Sequence, residues 1–125
     1  MLGTVRGDIH TIGKTLVSIM LQSAGFRVVD LGTNVDPEEF VAAVREHDAR
    51  IVALSAMLTT TMPSMKATVR ALKETDPEGK LHILVGGAPV NGRFARELGV
   101  EYASDAVDTM NRALCICGRP PKQVE

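Results

Sequence analysis

Gly7-Asp8-Ile9-His10-Thr11-Ile12-Gly13-Lys14 joins a short apolar run, Met1 to Val5, to an amphipathic stretch from Lys14 to Ala24. A strand that feeds a helix through a glycine-bounded loop is the unit that places ligands outside the strand C-termini of open α/β sheets. This loop also carries an Asp and a His two residues apart, so the carboxylate is placed to hold the imidazole.

The same unit recurs along the chain. Leu16, Val17, Ile19, Met20, Leu21 and Ala24 cover one broad helical face, and Gly25 ends that helix. Phe26 to Asp30 reads as a short strand. Asp36 as N-cap, Pro37 in the first turn and the acids Glu38 and Glu39 start a helix that runs to about His47. Ile51 to Ser55 is a fully buried strand by composition. Thr59, Thr60 and Thr61 disfavour a helix and supply caps, while Pro63 suits a first turn, so a helix follows to about Thr75.

Asp76-Pro77-Glu78-Gly79 is a turn, and Leu81 to Val85 is another buried strand, closed by Gly86-Gly87. Asn91 caps a short helix that ends before Gly99. Val100 to Tyr102 forms a last strand, and Asp105 opens a helix to about Cys117. Five strands alternate with five helices, and the strands are continuous apolar runs. The fold class is therefore α/β: an open five-stranded parallel sheet with helices on both faces, in the flavodoxin-like, Rossmann-like order 2-1-3-4-5. Residues 1–118 form the domain, and the tail 119–125, with Pro120-Pro121, is expected to be disordered. Met1 opens inside the first strand, so a preceding segment is expected.

Composition narrows the function. The 125 residues are 45% hydrophobic and 23% charged, as in an ordinary globular domain. With no Trp, one Tyr and three Phe, the chain lacks the stacking rings of single-strand nucleic-acid binders. A net charge of −1 with dispersed Lys and Arg gives no footprint for nucleic acid or an anionic membrane. No apolar run reaches the roughly 18 residues of a membrane span, and no signal peptide opens the chain, so a cytoplasmic location is expected. Cys115 and Cys117 are too close for a comfortable disulfide; one thiol is expected to pack and the other to face water.

Several chemistries fail on residues they require. Gly7 to Thr15 reads G-x-x-x-x-x-G-K-T, with five intervening residues where a P-loop has four. A phosphoacceptor receiver needs an Asp at the end of the third strand, where Ser55-Ala56-Met57 stands. His47 and His82 lie on elements unrelated to Asp8 and His10, so a three-ligand metal set does not assemble. A metal that brings its own equatorial ligands needs only one axial donor, which a neutral imidazole held by a carboxylate supplies. Taken singly, His10 reads as a structural histidine, Ser55 and Thr59 to Thr61 as caps, and Gly86-Gly87 as a turn. Together they fall at one sheet edge. His47, His82, Met57, Met62 and Met65 are read as surface or core.

Asp8-Ile-His10-Thr-Ile-Gly13, Ser55-Ala-Met-Leu58 with Thr59-Thr60-Thr61, and Gly86-Gly87 resemble the D-x-H-x-x-G, S-x-L and GG signature of cobalamin-binding domains. The likeness is to the corrinoid proteins of methyltransferase systems and the cobalamin module of methionine synthase, and it covers nearly the whole chain in order. Leu58 falls one residue later than the short S-x-L form. The segment from Gly99 to Ala106 is one residue shorter than the family's Gly-Ala-Asp-x-Tyr pattern, which bears on the tail's exit near Tyr102.

The resemblance implies cobalamin, as methylcobalamin or cob(I)alamin, bound with His10 as lower axial ligand of cobalt in place of dimethylbenzimidazole (base-off/His-on). It places Asp8 on the other imidazole nitrogen and Thr61 on that carboxylate. Ile9, Thr11 and Ile12 share the loop, and Gly13 lets the displaced nucleotide tail pass. Ser55 and Thr59 match positions at the benzimidazole, Leu58 stands for the leucine of S-x-L among the cofactor-binding residues, and Gly86 and Gly87 leave the base space. The implied function is a methyl carrier between corrinoid-dependent methyltransferases, not catalytic alone. His10 would release cobalt on reduction as its pair with Asp8 gains a proton. A helical cap would precede residue 1, and with the upper face open a second copy of the chain could cover it. The alternatives are the domain of an adenosylcobalamin-dependent mutase, a cobalamin-sensing regulatory module, and a flavin or nucleotide carrier on the same fold.

Overall fold

The computed structural model describes residues 1–7 and 12–118; residues 8–11, the tail 119–125 and the side chains of residues 12 and 13 lie outside it. Among the described residues, apolar runs make four strands: β1 (Leu2–Thr4), β2 (Ile51–Ser55), β3 (His82–Gly86) and β4 (Glu101–Tyr102). They pair in parallel in the order β1-β2-β3-β4. The helices are α1 (Ile12–Ser23), α2 (Pro37–His47), α3 (Met62–Glu74), α4 (Gly92–Leu98) and α5 (Ala106–Ile116), with a single 3-10 turn at Thr59–Thr61 leading into α3.

The sheet has four strands where five were expected, because the segment from Phe26 to Asp30 is not a strand. The chain from Asp30 to Val35 meets β1 and the residue after it through isolated bridges, Leu2 with Asp30 and Val5 with Val35. The backbone bonds are individually sound: Leu2 N–H donates to Val29 O at 3.0 Å and Thr4 N–H to Gly32 O at 2.9 Å. Continuity fails because Gly32 and Asn34 take φ of 89° and 54°, turning the chain out of extended geometry. Asp30 reinforces the turn by accepting the Gly32 N–H at 2.8 Å.

Alternation along the strands sorts the helices into two layers. Val52, Leu54, Ile83 and Val85 pack with Phe40 of α2, Met65, Val69 and Leu72 of α3 and Ala95 of α4. The opposite face carries Leu2, Ala53 and Leu84, against Val17 of α1 and Ile116 of α5. α1 and α5 then seal to each other through Ala24, Met110 and Leu114. The α2–α3 side therefore holds a dense core. The α1–α5 side meets the sheet through few side chains, one of them only an alanine. That asymmetry leaves room under the sheet.

Local signals set the helix starts. Asn91 Oδ1 accepts from Phe94 N–H at 2.8 Å, and Asp105 Oδ1 from Asp108 N–H at 2.7 Å. Asp108 answers by accepting from Ser104 N–H at 2.8 Å, a reciprocal arrangement like a capping box, and pairs with Arg112 at 3.0 Å. Burial works to raise the Asp108 pKa, but the Ser104 amide and the Arg112 guanidinium prevail and hold it below its ordinary value. Asp36 departs from expectation: its side chain caps nothing and instead faces Arg6 at 3.4 Å, while its carbonyl accepts from Glu39 and Phe40. Cys115 and Cys117 are both exposed, correcting the expectation that one packs; α5 turns Ala113 and Leu114 inward instead.

Two outcomes test this packing. Gly87 has φ of 122°, and a Cβ there would lie 1.7 Å from Ala56 O. Gly87→Ala should therefore cost about 3 kcal/mol in urea unfolding, and a loss near zero contradicts the tight approach. The depressed Asp108 carboxyl stabilises the fold above its unfolded pKa, and that contribution disappears as pH falls through the still lower folded value. Asp108→Asn should lose about 1 kcal/mol at pH 7, and its deficit should shrink below pH 3.8. A deficit independent of pH contradicts the charge assignment.

Candidate functional site

Parallel register brings three chain exits to one edge. Gly3 pairs with Leu54 and Thr4 with Ser55, while Ser55 pairs in turn with Gly86. The chain leaves β1 through Gly7, whose φ is 87° and whose N–H donates to Asn34 Oδ1 at 2.8 Å. Thr61, 3% exposed, sets its methyl 3.4 Å from where a Cβ on Gly7 would stand. Its hydroxyl donates to Leu58 O at 2.7 Å, tying the 3-10 turn together. Thr61 thus sits beside the residue that precedes Asp8.

Asp8, Ile9, His10 and Thr11, including the expected cobalt ligand, lie outside the described residues. Ile12 and Gly13 form the first turn of α1. Ser55, Gly86 and Gly87 come together as expected, on the wall of one cavity of about 330 Å³. Leu58 is 41% exposed and Thr59 is exposed in the 3-10 turn; neither lines that cavity.

The cavity occupies the thin side of the sheet. Ala53, Leu84 and Tyr102 line it from the sheet, Val17 and Thr109 from α1 and α5, and Ser104 from the β4–α5 link. A second cavity, of about 280 Å³, shares Leu2, Ala53, Leu84 and Thr109 and continues to Phe26 and Ile51. The space therefore runs beneath the sheet from one strand end towards the other. Its walls are mostly apolar, with hydroxyls at Ser55, Tyr102, Ser104 and Thr109, the carboxylate residue Asp105 at the near end and Arg27, Asp48 and Arg50 at the far end.

One charged side chain reaches this slot from α1. Lys14 is 6% exposed, lines the cavity, and pairs with Asp30 Oδ2 at 2.5 Å. Sequence reasoning passed over it, along with Thr109. The signal for Lys14 was its position: a cation in the first turn of a helix with no acid there works against the helix dipole. The signal for the slot itself was Ala53, the small residue in an otherwise bulky strand.

These residues fit the tail of a corrinoid. A flat aromatic base joined through ribose and phosphate needs a long apolar slot with a few polar groups along it, entered at the edge where the axial ligand stands. Small residues at 53, 86 and 87 clear the path, and a Cβ on Gly86 would press on Ala103 O at 3.0 Å. The chain leaves β1 through Gly7 at that same edge.

Comparison with known proteins agrees. The chain is 41% identical over 112 residues to dimethylamine corrinoid protein 3 of Methanosarcina mazei, covering 89% of this chain and 67% of that one. A novel cobalamin-binding protein from Desulfitobacterium hafniense has a solved structure that matches with a TM-score of 0.87 and 36% identity, over 92% of this chain and 57% of that one. The methanol:cobalamin methyltransferase complex of Methanosarcina barkeri contains a chain matching with a TM-score of 0.79 and 29% identity, over 95% of this chain and 46% of its own length. The chain thus spans between about half and two thirds of the proteins it matches. The model of the B12 binding domain matches residues 1–111, and the chain belongs to that family.

Proposed function

We propose that this domain holds cobalamin with its nucleotide tail in the slot between the sheet and α1–α5, and that it carries a methyl group between partner methyltransferases. The observation that carries the reading is the slot itself. It opens on Ser55, Gly86 and Gly87, level with the strand end that the chain leaves through Gly7, one residue before Asp8. When bound, the corrinoid supplies a cobalt centre able to accept and release a methyl group.

The chain's residues bind, orient and tune. His10 would hold the cobalt through a neutral imidazole, and Asp8 would accept the N–H of its other nitrogen, fixing the tautomer and raising the donor's basicity. Thr61, beside Gly7, would turn its hydroxyl from Leu58 O to donate to that carboxylate. Ser55 and the small residues at 86 and 87 receive the displaced benzimidazole, so the imidazole of His10 meets no competitor for cobalt. Leu58 and Thr59 remain at the exposed rim of the same edge, where a methyltransferase would approach, and Met57 stands at the mouth of the cavity. Relatives in dimethylamine and methanol systems favour a methyl carrier over a mutase domain or a sensor module.

The test is optical and needs no partner enzyme. Protein mixed with hydroxocobalamin and desalted should stay red, and its reduced cobalt(II) form should show an electron paramagnetic resonance spectrum split by one axial nitrogen. His10→Ala should lose that splitting and bind cobalamin about tenfold to a hundredfold more weakly. An unchanged spectrum in His10→Ala contradicts the ligand, and a colourless wild type contradicts the cofactor.

A further inference from the structure

Lys14 is expensive where it stands. A buried ammonium loses its hydration, and the first turn of α1 already presents the positive end of the helix dipole. The pair with Asp30 offsets part of this, yet Asp30 lies at the surface and could draw a lysine outward to solvent as easily as inward. A methionine would fill the same volume against Val17 and Leu84 without the charge. A locally unfavourable choice of this kind marks a functional position more often than a structural one.

The geometry points to an anion. Lys14 lines the same cavity as Ser55, Gly86 and Ser104, on the side where the N-terminal turn of α1 begins. Asp30 is its acceptor among the described residues, and an ammonium carries three protons, so donors remain for a second partner. Inside an apolar slot such a donor attracts an anion far more strongly than it would in water.

We propose that Lys14 is the anchor for the phosphodiester of the cofactor's nucleotide tail, with Asp30 holding the ammonium in place until the tail enters. This rests on the reading of the slot as the tail's site. Lys14 would select corrinoids that carry a complete nucleotide tail, and it would act on the tail alone. The corrin ring and the axial bond from His10 are served by other residues.

The experiment compares hydroxocobalamin with cobinamide, the same ring without the nucleotide tail, by equilibrium titration of absorbance. Wild type should prefer hydroxocobalamin, and Lys14→Met should lose about tenfold or more in affinity for it while binding cobinamide unchanged. Lys14→Arg should recover most of the loss, and Asp30→Asn, which leaves the ammonium present but loosely held, should weaken hydroxocobalamin binding by clearly less than Lys14→Met does. Circular dichroism of each variant establishes that it is folded. Equal weakening toward both ligands, or a loss in Asp30→Asn that equals the loss in Lys14→Met, assigns Lys14 to the internal ion pair alone and overturns the proposal. No change toward either ligand overturns it as well. A wild type that retains neither corrinoid, or that takes flavin mononucleotide instead, overturns the reading of the slot.

Discussion

Everything at the candidate site depends on the parallel register of β1, β2 and β3. Because Thr4, Ser55 and Gly86 stand side by side, three loops far apart in sequence leave the sheet at one height. Shift any pairing by one residue and each side chain changes face. Val52 and Leu54 would then press into the slot, and Ala53 would open a hole in the dense core on the other side. Register is held by that contrast of sizes as much as by the ladder of hydrogen bonds.

The two faces divide the labour of the domain. The α2–α3 layer, with Phe40, Met65 and Leu72 fully buried, supplies the stabilising burial of apolar surface. The α1–α5 layer meets the sheet loosely and closes mainly on itself through Met110, Leu114 and Ala24. A protein interior is otherwise packed to the density of an organic crystal, so a slot of this length is a feature to be explained by what fills it. Stability and vacancy sit on opposite sides of the same sheet, and a substitution on one side need not disturb the other.

Much of this was legible in the residues because the signals are local. Asn91 and Asp105 cap the helices they announce, Pro37 sits in a first turn, and Ile51–Ser55 is a strand. Ser55, Gly86 and Gly87 were identified from pattern and do line one cavity. The failures are tertiary. Phe26 to Asp30 has strand composition, but Gly32 and Asn34 downstream turn the chain away from a continuous ladder. The carboxylate of Asp36 has an alternative partner in Arg6. Leu58 and Thr59 are exposed at the strand ends, while the 3-10 turn sets Thr61 inward, a division that the run of three threonines does not show. Lys14 was visible as a letter and not as a site, since only the assembled fold shows it buried beside a slot.

The most direct measurement of the central claim is a proton–nitrogen correlation spectrum of the domain, recorded before and after addition of diamagnetic hydroxocobalamin. If the nucleotide tail lies beneath the sheet, amide shifts should concentrate at Ser55, Gly86, Gly87, Ala103 and Ser104 and continue to Thr109 on α5. Shifts confined to the exposed rim at Leu58 and Thr59, with the amides of the slot unmoved, would mean that the cofactor sits on the edge without entering, and would contradict the account.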